Sequence, residues 1–263
     1  MPQLKFLVLG GTSDASALAG LLADDPRFDA TLSLAGLTKA PVLPAIPCRI
    51  GGFGGAAGLA RYLQDNAIQA LVVATHPFAA QIRQNAVAAA RATGTPLLLI
   101  ERPAWDSQAG DRWIEVADMH QAAAALGPTA RRVLLTIGRK DLAPFAAAPW
   151  HGYVIRSVDA PPPELLPPAA KIITARGPFT LEDDRLMLHE ERIEVIVTKN
   201  SGGTATQSKL IAARELGLPV IMVARPPWPD VSGLEATRVS DAAGALRWLA
   251  ARHEDASSAK RGV

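Results

Sequence analysis

The chain has 263 residues, 49% hydrophobic and 20% charged, which supplies apolar material for two cores and excludes a disordered protein. A net charge of +2 excludes a general nucleic-acid or membrane-surface binder, and the single cysteine, Cys48, excludes an internal disulfide or a zinc site built on several thiolates. No apolar run reaches the roughly 18 residues of a transmembrane helix, and the opening apolar stretch is too short for a signal peptide, so a cytoplasmic α/β protein is expected.

The first expected strand, 4–9, runs through Leu9-Gly10-Gly11-Thr12-Ser13-Asp14 into an expected helix at 14–23. Glycines at such a turn allow close backbone approach, while the free N–H groups and dipole of the helix favour a phosphate. Gly10, Gly11, Thr12, Ser13 and Asp14 are therefore candidate cofactor contacts, although Ser13 and Ala15 stand where a dinucleotide fingerprint has its third glycine. The plainer alternative is a glycine turn with Thr12 or Ser13 as helix cap. The second strand, 30–34, leads into Ser33-Leu34-Ala35-Gly36-Leu37-Thr38-Lys39, the strand end that borders the adenosine ribose in a Rossmann-like half. No acidic residue stands there to hold a free 2′-hydroxyl. Gly36, Thr38 and Lys39 thus point to NADP over NAD, with Lys39 as a solvated loop lysine the alternative. Gly51-Gly52-Phe53-Gly54-Gly55 opens a helix at 55–65 and either presents Gly52 to a ligand or forms a flexible loop. After the strand 70–74, Ala74-Thr75-His76-Pro77-Phe78-Ala79 occupies a strand end, where ligands of parallel sheets gather. Thr75 is a candidate cofactor contact and His76 a candidate catalytic group, against the ordinary role of a hydrogen-bonded structural histidine. A helix at 79–92 and a strand at 96–100 follow.

Leu126-Gly-Pro-Thr-Ala130 breaks this alternation and sets the expected domains at 1–128 and 129–252, with a frayed polar tail at 253–263. The second domain has expected strands at 132–136, 153–158, 171–174, 194–198 and 219–223, and helices at 181–189, 206–216 and 241–251. Residues 161–168 form a proline-stiffened loop. Cations recur at its strand ends, in Thr136-Ile-Gly-Arg139-Lys140, Thr174-Ala-Arg176-Gly-Pro-Phe179, Thr198-Lys199-Asn200-Ser201-Gly202-Gly203 and Arg225-Pro-Pro-Trp228. Singly these are ordinary loop charges; aimed at one cleft they would receive a polyanion.

An internal repeat relates the halves. Residues 89–105 lie on 212–228 at an offset of 123, with eight of seventeen positions identical, including Arg-Pro-x-Trp after a strand. The offset also lays Thr75 on Thr198 and His76 on Lys199. The expected architecture is α/β, two similar Rossmann-like domains with mostly parallel sheets and a cleft between them. Neither Tyr62 nor Tyr153 has a lysine four residues on, which disfavours a short-chain dehydrogenase acting on alcohols. Also absent are a Gly-x-Ser-x-Gly elbow, a Walker phosphate loop and His-Glu-x-x-His.

Taken together, Leu9-Gly-Gly-Thr12, Ser33-Leu-Ala-Gly36, Gly51-Gly-Phe-Gly-Gly55, Ala74-Thr-His-Pro-Phe-Ala79, Ile173-Thr-Ala-Arg-Gly-Pro-Phe179 and Thr198-Lys-Asn-Ser-Gly-Gly203 resemble the precorrin-6A reductases of cobalamin biosynthesis over about residues 4 to 250. The resemblance implies NADPH-dependent reduction of one macrocycle double bond of precorrin-6A, giving precorrin-6B, with possible hand-over to neighbouring pathway enzymes. It departs from the pattern at Leu37, where an arginine often follows Ala-Gly. On this reading His76 and Lys199 are the catalytic candidates. Arg139, Lys140, Arg176, Asn200, Ser201, Gly202 and Arg225 would bind the carboxylate-fringed tetrapyrrole. Two other classes compete: an NADP-binding regulatory protein, and a nucleotide-dependent transferase with two Rossmann-like halves. The first has no DNA-binding helix pair to support it and the second no Asp-x-Asp.

Overall fold

The computed structural model describes residues 3–36 and 45–259, so the expected contacts Thr38 and Lys39 lie outside the described residues. In chain order its elements are β1 (Leu4–Leu9), α1 (Ser13–Leu22), β2 (Phe28–Leu34), β3 (Cys48–Ile50), α2 (Gly55–Asp65), β4 (Ala70–Val73), α3 (Ala80–Thr93) and β5 (Leu97–Ile100). There follow β6 (Arg112–Val116), α4 (Met119–Ala125), β7 (Arg132–Thr136), β8 (Gly152–Ser157), β9 (Ala170–Thr174), α5 (Leu181–Glu190), β10 (Val195–Lys199), α6 (Ser208–Glu215), β11 (Pro219–Val223), β12 (Ala236–Val239) and α7 (Ala242–Ala259). Short 3-10 turns occupy Arg139–Asp141, Ala143–Ala147 and Pro163–Leu165.

Two six-stranded sheets result, ordered β12-β5-β4-β1-β2-β3 and β6-β11-β10-β7-β8-β9, with every pairing parallel. The α/β class and the two similar halves are as the sequence predicts. Apolar strands without polar alternation need cover on both faces, and β1 shows why. Its Phe6 and Val8 pack with α1 and α7, while Leu7 and Leu9 pack with α2 and α3. In the second sheet Leu134, Ile196 and Val220 join Leu188 of α5 and Leu210 of α6 in one core.

The chain folds into two compact units, Met1–Pro103 with Pro226–Val263, and Ala104–Arg225, so the boundary expected at 128/129 is displaced. The cause is an exchange of last strands. β6 follows β5 in sequence but pairs with β11, and β12 follows β11 but pairs with β5. Gly127 and Pro128 merely end α4, which already belongs to the second unit. The offset of 123 continues through the exchange, laying Val116 of β6 on Val239 of β12. Both crossings occur at the repeated Arg-Pro-x-Trp. The expected polar tail is also corrected. α7 continues through 253 to Ala259, His253 packs its ring edge-on to Phe28 at 6.3 Å, and Ser257 is buried. Among the described residues no helix is long and apolar enough to cross a membrane.

Candidate active site

The carboxyl edge of the first sheet is built around Thr12. Its extended backbone makes it the cap of α1, and its hydroxyl accepts from Ala15 N at 3.2 Å while donating to Ala74 O at 2.7 Å. One side chain thereby ties the loop after β1 to the end of β4. Two glycines make this loop possible for different reasons. A Cβ on Gly10 would meet Leu32 Cδ1 at 2.6 Å, whereas Gly11 has φ +115° with nothing among the described residues within 4 Å of an added Cβ. The backbone at Gly11 therefore needs glycine and leaves its surface open, at the N-terminus of a ten-residue helix. Ser13 is exposed, and Asp14 in the first turn is paired with Arg102 at 3.1 Å. Arg102, at the end of β5, was not among the expected site residues; its repeat partner Arg225 is the signal that could have found it.

Gly36 (φ +71°) closes the end of β2, where an added Cβ would meet Ile50 Cγ2 at 3.1 Å. Beside it Arg49, absent from the expected site, holds the glycine-rich loop in shape. Its guanidinium donates to Ser33 Oγ at 2.7 Å, Gly51 O at 3.0 Å and Gly52 O at 3.1 Å, and lies 3.9 Å from the Phe53 ring centre. Gly52 is exposed in this braced loop. At the end of β4, Thr75 Oγ1 is buried without a hydrogen-bond partner among the described residues. The Nδ1 of His76 accepts from Phe78 N at 3.2 Å, which leaves the proton of the neutral ring on Nε2.

The second sheet carries the other candidates. Lys199, at the end of β10, pairs with Asp141 at 2.5 Å from the 3-10 turn that also bears Arg139 and Lys140. Asp141 was not foreseen, because only its proximity in space marks it. Arg176 is exposed after β9, and Ser201 N donates to Lys199 O at 2.7 Å beside buried Gly202 (φ +65°). Asn200 works mainly on the chain itself. Its Oδ1 accepts from Trp105 N at 2.8 Å, its Nδ2 donates to Trp105 O at 2.9 Å, and its own carbonyl accepts from Arg225 Nε at 2.8 Å. Asn200 and Arg225 thus pin the crossing segment. Beneath these loops Arg156 pairs with Asp184, whose second oxygen accepts from Ser208 Oγ at 2.5 Å. Among the described residues no group of three or more His, Cys, Asp or Glu could hold a metal.

The family described as precorrin-6x reductase CbiJ/CobK matches residues 5–250 of the chain. The chain is 48% identical to the precorrin-6A reductase of Rhodobacter capsulatus over 259 residues, 98% of this chain and 99% of that one. It is 46% identical to the precorrin-6A reductase of Rhodococcus erythropolis, covering 93% of this chain and 97% of the relative. The solved structure of CobK precorrin-6A reductase is similar with a TM-score of 0.88 at 48% identity, over 95% of this chain and 97% of that one.

Proposed function

The chain belongs to the precorrin-6x reductase CbiJ/CobK family, and from that premise we propose that it reduces precorrin-6A in cobalamin biosynthesis with NADPH bound at the carboxyl edge of the first sheet. NADPH supplies the hydride when bound. The observation that carries the cofactor site is the pairing of an open glycine loop at Gly11 with the orphaned Thr75 Oγ1, on strand ends that Thr12 ties together. A buried hydroxyl without a partner is costly, and a ligand oxygen or amide there would satisfy it. The α1 N-terminus favours phosphate, and Arg102 neutralises the Asp14 carboxylate that would otherwise repel it.

On the second unit Arg139, Lys140 and Arg176, with the loop at Ser201 and Gly202, receive the acetate and propionate carboxylates of the macrocycle. The proton that follows the hydride comes in this reading from the ammonium of Lys199, which Asp141 orients, while Nε2–H of the neutral His76 ring is a hydrogen-bond donor toward the reacting groups. The setting is cytoplasmic, where NADPH is the working reductant. The test is an anaerobic absorbance scan of protein, NADPH and precorrin-6A. NADPH should be consumed in step with the change in the tetrapyrrole spectrum. A regulatory protein or a transferase would leave NADPH unoxidised.

A further inference from the structure

The second unit buries a charge cluster that the reaction as described does not use. Asp184, at the start of α5, is 0% exposed and shares its carboxylate between Arg156 of β8 and Ser208 of α6. Lys209, the next residue of α6 and 3% exposed, has no such carboxylate bond; its Nζ donates to Thr206 O at 2.6 Å and lies 4.9 Å from the Trp105 ring centre. Arg156 and Asp184 are the charged groups that face it from the neighbouring elements. A methionine would fill this space without desolvating an ammonium. What lysine adds is a donor onto the loop carbonyl of Thr206.

The cluster touches two of the three segments that the proposed function gives to the substrate. Arg156 lies 4.0 Å from the centre of the Phe179 ring, which closes the 174–179 loop bearing Arg176. Phe179 N reaches Ala205 O at 3.4 Å, joining that loop to 199–206. The second loop is held by Lys209 at Thr206, by Trp105 Nε1 donating to Gly203 O at 2.8 Å, and by the Asn200 bracket on Trp105. We propose that Arg156, Asp184, Ser208 and Lys209 are positioning residues that set the carboxylate-receiving loops at 174–179 and 199–206, with Lys209 locking the second. This rests on the assignment of those loops to the substrate.

Burial and the charge of Arg156 push the Lys209 ammonium down to about 7, against the pull of Asp184, so the lock titrates in the working range. Its charged form, below that value, is the one that interacts with the Trp105 face. With saturating NADPH, the KM for precorrin-6A should therefore rise about threefold as pH increases through neutrality, with kcat changing less. Lys209→Arg, permanently charged, should remove this step relative to wild type. Lys209→Met should hold KM about tenfold high at every pH, while the Kd for NADPH stays within about twofold. Ser208→Ala, a milder change, should raise KM about twofold to threefold and covers the case in which Lys209→Met does not fold. Wild-type KM and pH profile in a folded Lys209→Met, or equal losses for NADPH and tetrapyrrole, would overturn the proposal. If wild type oxidises no NADPH with precorrin-6A, the function assignment fails instead. The cluster itself is then read by tryptophan fluorescence: a transition near neutrality in wild type but not in Lys209→Met supports it, and identical curves overturn it.

Discussion

The same four-residue motif carries the chain out of each sheet, and the two copies are anchored by different physics. In the first unit Trp228 lies under the guanidinium of Arg83, 3.3 Å from its ring centre, and Arg83, 2% exposed, donates to Pro77 O. The indole N–H of Trp228 is buried without a partner among the described residues. In the second unit Trp105, 8% exposed, has its N–H on Gly203 O, its backbone bracketed by Asn200 and its ring beside Lys209. A permanently charged plane stacks on one crossing, whereas hydrogen bonds and a titratable amine hold the other. The two halves thus share the crossing and the tryptophan but hold it by different means.

The largest expected effect breaks the more tightly bound crossing. Trp105→Ala should cost about 3–5 kcal/mol in denaturant-measured stability, and Trp228→Ala, at a half-buried site, clearly less. Equal losses would erase the contrast. The next test uses pH. With Lys209 depressed to about 7 from the ordinary 10.5, the unfolded chain holds more protons than the folded one between those values, so stability should rise with pH across that window. Lys209→Met should abolish its part of the rise, while Arg83→Met should leave the slope unchanged, because arginine stays charged throughout.

Smaller effects sharpen what each unit binds and how each tryptophan is held. Gly11→Asp forces a side chain and a negative charge onto the open φ +115° position, and NADPH affinity should fall tenfold or more, about 1.4 kcal/mol, by fluorescence titration. The smallest difference concerns the indole N–H groups. Trp105→Phe should lose about 1 kcal/mol with its bond to Gly203 O, whereas Trp228→Phe removes an unpartnered polar group and should be close to neutral. A larger loss at 228 would show that its N–H finds a partner in solution.

Central strands were legible because burial on both faces demands apolar runs: β1, β7 and β11 occupy the expected residues. β3, β6 and β12 were not, since edge strands such as Arg112-Trp-Ile-Glu-Val116 need only one covered neighbour and carry charges. The repeat revealed two halves but not their exchange of last strands, because pairing partners leave no mark in local sequence. The places of Gly10 and Gly11 after β1, and of Thr75, His76 and Lys199 at strand ends, were legible from the alternation of strands and helices. Asp141 and Asp184 were not, because their meaning comes from partners 58 and 28 residues away, nor was Lys209, which lies beside the distant Trp105. Asn200 shows the same limit: a polar residue before glycines reads as a ligand loop, and its amide bonds to Trp105 are seen only in the fold.

The central claim is a division of labour, with cofactor on the first unit and substrate carboxylates on the second. It is tested most directly by titrating NADPH into Arg176→Ala protein and then measuring the KM for precorrin-6A on the same sample. The account predicts an NADPH Kd within about twofold of wild type and a KM raised about tenfold, near 1.4 kcal/mol. A variant that binds NADPH tenfold more weakly while keeping the wild-type KM would contradict it.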